Sequence, residues 1–215
     1  ILMIDIVGAR KAVEQGANVN LKIIDRNAYD QPLSPLILMA TKSIRSHNSI
    51  PLAIFLLDKG CNPRTQVSFY DTSNALHILL MKFSVLSLDC SKGRTLIEKI
   101  IQTDPRILRD RTSTGHTAFH LAIKYGQIQA LNIIFQYKKY LNTNLKDNEG
   151  KTALMLAIEK DDTQAFGIFN LLMNQKDINI HLCDKDGNTA LHYTALAQND
   201  NARLFAKKLI EAGAK

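Results

Sequence analysis

The chain has 215 residues, 46% of them hydrophobic, and a formal net charge of +7. No apolar run approaches the 18 residues that a membrane-spanning helix needs, so we expect no membrane insertion. The charge is spread evenly, because residues 1–110 carry 14 basic and 10 acidic side chains and residues 111–215 carry 13 and 10, giving +4 and +3. Nucleic-acid binding is therefore not favoured, since it needs cations clustered on one face.

The three cysteines, Cys61, Cys90 and Cys183, lie far apart in the sequence. An odd, scattered set forms neither a disulfide framework nor a paired metal-binding motif. We therefore expect a reducing, cytoplasmic compartment. Because the chain begins with Ile1 inside an apolar segment, we also expect it to be part of a longer polypeptide.

The first half of the chain alternates apolar helical segments with turns. Apolar spacing predicts a helix over residues 1–15, ended by Gly16, and then a polar connection over 21–31. Ser34 followed by Pro35 is typical of a helix start, because the hydroxyl caps the helix and proline needs no donor there. The predicted helices of this second unit cover residues 35–42 and 51–59.

A third unit begins at Asn74, with Thr72 where the corresponding turn elsewhere has glycine. The segment 82–94 is longer than a tight connection requires, and the outer helix is predicted over 95–102. In the fourth unit, periodicity predicts an inner helix over 117–125, a break at Gly126 and an outer helix from Ile128. The fifth and sixth units begin at Asp147 and Asp184, with outer helices predicted over 163–174 and 202–211.

One short motif recurs, as Gly115-His116-Thr117-Ala118-Phe119-His120, Gly150-Lys151-Thr152-Ala153-Leu154-Met155 and Gly187-Asn188-Thr189-Ala190-Leu191-His192. Its glycines permit the tight turn before each inner helix, and its threonines are predicted to cap that helix. Phe119, Leu154 and Leu191 are predicted to point into the layer between repeats. The capping positions Ser34, Asn74, Thr117, Thr152 and Thr189 are 40, 43, 35 and 37 residues apart.

This pattern, followed by a helix ending in a segment such as Gly16-Ala17-Asn18-Val19-Asn20, resembles the ankyrin repeat over essentially the whole chain. The resemblance implies an all-α solenoid of stacked helix-turn-helix units joined by short hairpin-like turns. The chain departs from the family pattern in two ways: its repeats are spaced further apart, and its third unit lacks the turn glycine. We expect a single array, residues 1–215, with repeats over 1–28 (partial), 29–68, 69–111, 112–146, 147–183 and 184–215.

The histidines invite a metal or catalytic interpretation. His116 and His120 have the spacing of two metal ligands, but the sequence lacks a third ligand at a matching position. His77, His120 and His192 share one repeat position, where the resemblance implies a structural hydrogen bond. We therefore predict no catalytic residues, no metal site and no cofactor.

Binding is the function that the pattern favours. Solenoids present a concave surface made of turn tips and exposed inner-helix positions. Aromatic and soft apolar side chains such as Tyr70, Met81 and Tyr125 contribute strongly at interfaces, although they could equally pack against neighbouring tips. The candidate partner-binding residues are Tyr70, Met81, Lys82, His116, Lys124, Tyr125, Lys151, Glu159, Lys160 and Asn188.

We therefore predict a non-catalytic, monomeric module that binds another protein or a peptide on its concave face. The alternative is the recognition domain of a larger enzyme, for example a protein-modifying or ubiquitin-ligase-associated protein, whose catalytic part lies outside this chain. The composition, rich in Lys, Ile and Asn, is similar to that of ankyrin proteins of intracellular bacteria. This similarity implies an effector acting in the cytoplasm of a host cell.

Overall fold

The structure, a computed structural model, describes residues 6–20, 23–24, 32–42, 49–67, 71–83, 91–197 and 200–215. These described residues form two compact units, which divide between Asp110 and Arg111. Among them, no helix has the length and apolar character that crossing a membrane requires. The predicted all-α repeat fold is confirmed, and the prediction of one continuous array stays a prediction.

The first unit contains helices on two levels. Inner helices α2 and α4 pack together, and so do outer helices α3 and α5, while α1 packs on α3. A 3₁₀ helix follows α5, capped by the Asp104 carboxylate, which accepts a hydrogen bond from the Arg106 N–H at 3.1 Å. The elements are α1 (Ile6–Glu14), β1 (Ile23–Ile24), β2 (Pro32–Leu33), α2 (Pro35–Lys42), α3 (Ser49–Asp58), α4 (Ala75–Phe83), α5 (Ser91–Thr103) and the 3₁₀ helix Pro105–Arg109.

Two details of this unit differ from the sequence-based expectation. Residues 23–24 and 32–33 pair as antiparallel strands, whereas a polar connection was expected up to residue 31. Helix α5 begins at Ser91 and not at residue 95. The prediction missed its first turn because that turn is polar and carries no apolar periodicity. A first helical turn tolerates polar residues since its backbone N–H groups have no partner within the helix.

The predicted caps of this unit are confirmed. The Ile37 N–H donates to Ser34 Oγ at 3.3 Å, and the His77 N–H donates to Asn74 Oδ1 at 3.0 Å. Thr72, which replaces a turn glycine, has φ +51°, in the left-handed region that side chains disfavour. The turn geometry of the repeat is therefore kept at this position without glycine.

The second unit contains three helical pairs. Inner helices α6, α8 and α10 stack in that order, and each packs on its own outer helix, α7, α9 or α11. Phe119, Leu154 and Phe169 are almost fully buried in its core. The helices are α6 (Ala118–Lys124), α7 (Ile128–Ile134), the 3₁₀ helix Phe135–Tyr140, α8 (Ala153–Glu159), α9 (Ala165–Met173), α10 (Ala190–Leu196) and α11 (Ala202–Glu211).

Leu191 differs in burial from the residues at the same position of the other two motifs. Unlike Phe119 and Leu154, it is only half-buried. Its helix α10 packs chiefly on α8 and α11, so one side of the helix has less cover. The shared motif therefore does not imply equal burial at every repeat.

Asparagine side chains connect successive loops at the far ends of the outer helices. Asn144 accepts from the Asn179 N–H at 2.8 Å and donates to the Asp177 carbonyl at 2.6 Å. Asn20 does the same in the first unit, accepting from the Asn62 N–H at 2.7 Å and donating to the Gly60 carbonyl at 3.1 Å. These bonds satisfy loop backbone groups that have no partner in a helix or a sheet.

Candidate functional site

The candidate site lies in the second unit, where three hairpin tips precede the inner helices: tip A (112–116), tip B (147–151) and tip C (184–188). Each tip is closed by its first residue. Asp147 Oδ1 accepts from the N–H groups of Glu149 and Lys151, both at 2.9 Å. Asp184 Oδ1 accepts in the same way from the residues two and four positions later, at 2.9 and 2.8 Å. The sequence therefore shapes each tip through a short polar side chain that replaces a backbone partner.

The tips are hydrogen-bonded to one another. Between tips A and B, the Asn148 N–H donates to the Thr114 carbonyl at 3.0 Å, and Asn148 Nδ2 donates to the Ser113 carbonyl at 2.6 Å. Between tips B and C, the Lys185 N–H donates to the Glu149 carbonyl at 3.1 Å. The three tips are thus joined into one continuous surface by hydrogen bonds to their backbone groups.

A groove of about 570 Å³ lies between the tips and the inner helices α6 and α8. Its size is within the range of about 300 to 1,000 Å³ that is typical of ligand pockets. Tips A and B and the ends of α6 and α8 all contribute residues to its lining. The lining residues are Ser113, Thr114, His116, Lys124, Asp147, Asn148, Glu149, Lys151, Leu156, Glu159 and Lys160.

Ion pairs hold two of the groove lysines in place. Lys151 Nζ lies 2.5 Å from Glu159 Oε1, and it also lies 5.3 Å from the centre of the Tyr193 ring. Lys160 Nζ lies 2.7 Å from Asp162 Oδ2 and donates to the Lys124 carbonyl at 3.0 Å. A cation at that carbonyl also offsets the partial negative charge at the C-terminus of α6. Both ammonium groups are therefore oriented before any ligand arrives.

The Asp184 carboxylate extends the polar network behind Lys151. Tyr193 OH donates to Asp184 Oδ2 at 2.6 Å. This hydrogen bond, together with those from Asn188 and Asp186, lowers the pKa of Asp184 to about 2. Burial, followed by the bond to this carboxylate, raises the pKa of Tyr193 well above its ordinary value. Asp184 therefore stays ionised and Tyr193 stays neutral at physiological pH.

His116 forms part of the groove lining and of the tip network. Its Nδ1 lies 2.9 Å from Thr114 Oγ1, and its Nε2 lies 3.3 Å from Asp147 Oδ2. Only 12% of its side chain is exposed, and its ring centre lies 6.1 Å from that of His120. Within the described residues, no group of three or more His, Cys, Asp or Glu side chains could hold a metal ion.

His120 has the structural role that its repeat position predicts. It is 1% exposed, its Nδ1 accepts from the Thr117 N–H at 3.3 Å, and its Nε2 lies 3.0 Å from the Leu145 carbonyl. Burial first of all lowers the pKa of His120 from 6.5 to about 4. His77 and His192 accept from Asn74 and Thr189 in the same way, so the predicted structural bond is confirmed at all three positions.

The groove brings together five of the ten predicted binding residues: His116, Lys124, Lys151, Glu159 and Lys160. Tyr125 is half-buried at the end of α6 and does not line the groove, and Asn188 donates to Asp184 within tip C. Met81 and Lys82, which we expected to be exposed, are half-buried at the end of α4 in the first unit. Tyr70 lies outside the described residues.

Six further residues line the groove without being among the ten candidates: Ser113, Thr114, Asp147, Asn148, Glu149 and Leu156. Asp147 opens the recurring turn motif, so its type suggests only a structural role. Leu156 lies three residues before Glu159 and hence on the same helix face. That spacing is the signal by which it could have been found.

Comparison with known proteins agrees with this geometry. Residues 86–181 match the family model described as ankyrin repeats (3 copies). Residues 86–181 therefore belong to the ankyrin-repeat family. Ankyrin repeats generally mediate protein–protein interactions, and the fold is typically non-catalytic.

Individual proteins match more of the chain than the family model does. The ankyrin repeat protein EF0377 is 16% identical, with a TM-score of 0.74 over 98% of this chain and 93% of that chain, which shows the shared fold. An intracellular phospholipase A2 of Caenorhabditis elegans is 28% identical over 112 residues, 51% of this chain. The ankyrin repeat-containing protein C6C3.08 of Schizosaccharomyces pombe is 26% identical over 99 residues, 46% of this chain. The matches span 10% and 42% of these two relatives.

Proposed function

We propose that this chain is a protein-binding module, and that the groove of the second unit holds a segment of a partner protein. The observation that carries the proposal is the ordering of two groove lysines: Glu159 holds Lys151, and Asp162 and the C-terminal end of α6 hold Lys160. Side chains ordered before binding lose less conformational entropy when a partner docks. The proposal also agrees with the general role of ankyrin repeats.

We further propose that binding takes place without catalysis in this chain. The polar side chains of the groove are used to shape the tips: His116 contacts Thr114 and Asp147, and Asp147 closes tip B. A catalytic site would instead need an activated group directed at a reacting atom, with donors placed for the charge that develops there.

A steric block tests the proposed site. Ser113 is exposed and lines the groove, so Ser113→Trp should fill it without altering a charge. Gln136→Trp, on the exposed 3₁₀ helix after α7, is the matched control. In this experiment, partner proteins that the wild-type chain captures are cross-linked to it. We expect this capture to be lost with Ser113→Trp and kept with Gln136→Trp. Equal capture by both variants, at equal melting temperature, would remove the groove as the binding site.

A second candidate function is the recognition part of a larger enzyme. The observation that favours it is the similarity to a segment of an intracellular phospholipase A2, of which the match spans only a tenth. An immunoblot of the source cells with an antibody against residues 111–215 tests this candidate. A band near 24.1 kDa, the mass of this chain, argues against it, and a much larger band supports it. A role as an effector in host cytoplasm stays a prediction from composition.

A further inference from the structure

Positive and negative side chains are balanced in the groove lining. The lysines are Lys124, Lys151 and Lys160, and the carboxylates are those of Asp147, Glu149 and Glu159. A phosphate-rich ligand would require an excess of cations. The balance therefore favours a ligand that itself carries both signs of charge.

Most of these charges already have partners inside the unit. Lys151 pairs with Glu159, Lys160 pairs with Asp162, and Asp147 lies against His116. These groups shape the groove and have little remaining capacity to select a ligand. Selection of a ligand by charge therefore depends on the two remaining charged residues of the lining.

Lys124 and Glu149 are those two residues. Lys124 is exposed at the C-terminal end of α6, and Glu149 is exposed on tip B. In the part of the chain that the structure describes, no ion pair involves the Lys124 ammonium or the Glu149 carboxylate. The groove lining thus presents an unpaired cation on α6 and an unpaired anion on tip B, together with the half-buried Leu156.

We infer that the groove selects an extended peptide segment carrying an acidic side chain, which pairs with Lys124, and a basic side chain, which pairs with Glu149. This inference rests on the proposed function and specifies the chemistry of the partner. Opposite charges at two separate positions, one on α6 and one on tip B, also fix the direction in which the segment lies, because a reversed segment would place like charges together.

Selection from a phage-displayed library of random heptapeptides tests the inference on the full 215-residue chain. The wild type should enrich peptides that contain an Asp or Glu and a Lys or Arg at a fixed spacing. With Lys124→Glu, the acidic position of the peptide consensus should become basic. With Glu149→Lys, the basic position of the consensus should become acidic. For a wild-type peptide, each reversal should weaken binding by about fivefold to tenfold. Lys138→Glu, an exposed charge change outside the groove, should leave the consensus unchanged.

The possible failures are distinguishable. If the wild type enriches peptides that Ser113→Trp still binds, or enriches none, the proposed groove itself is wrong. If Ser113→Trp abolishes binding but the consensus lacks the two charges, or survives Lys124→Glu, only the inferred charge selection is wrong. Equal melting temperatures of all variants show that the comparison concerns binding and not folding.

Discussion

A buried histidine fixes the start of helix α6. Nδ1 of His120 accepts from the Thr117 backbone, so the proton of the neutral ring lies on Nε2, which donates to the Leu145 carbonyl. This assignment follows from the hydrogen bonds, because a carbonyl oxygen can only accept. Protonation would remove the acceptor at Nδ1 and place a charge in the core. The native state therefore requires the neutral ring.

The unfolding free energy should consequently depend on pH. The pKa of His120 falls from 6.5 in the unfolded chain to about 4 in the native state, so the unfolded state binds more protons between these values. The stabilisation is complete above pH 6.5 and is lost as the pH falls towards 4. From these pKa values we expect a loss of about 2 kcal/mol between pH 7.5 and pH 5.

Urea unfolding at the two pH values measures this loss. His120→Gln should remove most of the pH-dependent part, whatever its effect on stability at pH 7.5. His192→Gln is the matched control, because it occupies the same repeat position with an exposed ring and should retain most of the dependence. Identical pH profiles for wild type and His120→Gln would show that another group is responsible.

At the scale of elements, the close stacking of the hairpin tips depends on glycine at particular positions. Gly150 and Gly187 have nearly the same backbone angle, φ +81° and +84°, so a side chain strains both equally. Their surroundings differ. A Cβ at Gly150 would lie 2.7 Å from the Lys185 backbone nitrogen, whereas a Cβ at Gly187 would meet no atom within 4 Å.

We therefore expect Gly187→Ala to lower the unfolding free energy by about 1 kcal/mol through backbone strain alone. Gly150→Ala should cost a further 1 to 3 kcal/mol or so, because tip C must move away from tip B. Chemical unfolding of the two variants gives the difference directly. Equal losses would mean that the contact between these tips is loose enough to accept a methyl group without cost.

The elements were predictable from sequence to different degrees. The recurring Gly-x-Thr-Ala motif predicts the start of α6 to within one residue, since glycine, cap and apolar face all act locally. The first turn of α5 is polar, so apolar periodicity does not predict where this helix starts. The strands 23–24 and 32–33 have only two residues each, which is too short for a recognisable strand pattern.

The candidate site was predictable only in part. Repeat position identifies Lys124 and Lys151 as surface residues, because the helix period determines which face they occupy. The partners of the charges are not predictable in this way. The pair Lys151–Glu159 joins a turn to the far end of a helix, and Lys160 reaches a carbonyl of the preceding repeat. Such contacts depend on how neighbouring repeats are stacked.

At the scale of the whole molecule, each repeat buries its apolar face only against its neighbours, so stability grows with the number of stacked pairs. About three repeats are the least that a stable array requires. The second unit contains three helical pairs, with a core that includes Phe119, Leu154, Phe169 and Phe205. Phe169 and Phe205 stack with their ring centres 4.4 Å apart, joining α9 to α11.

We therefore expect residues 111–215 to fold without the preceding half of the chain. The isolated fragment should show a helical circular dichroism spectrum and a cooperative urea transition, because it contains three complete helical pairs with their tips, caps and buried aromatic residues. It should also keep the groove and bind the peptides selected by the full chain. A fragment that is helical but melts without cooperativity would contradict this expectation, since three pairs would then be too few to complete the core.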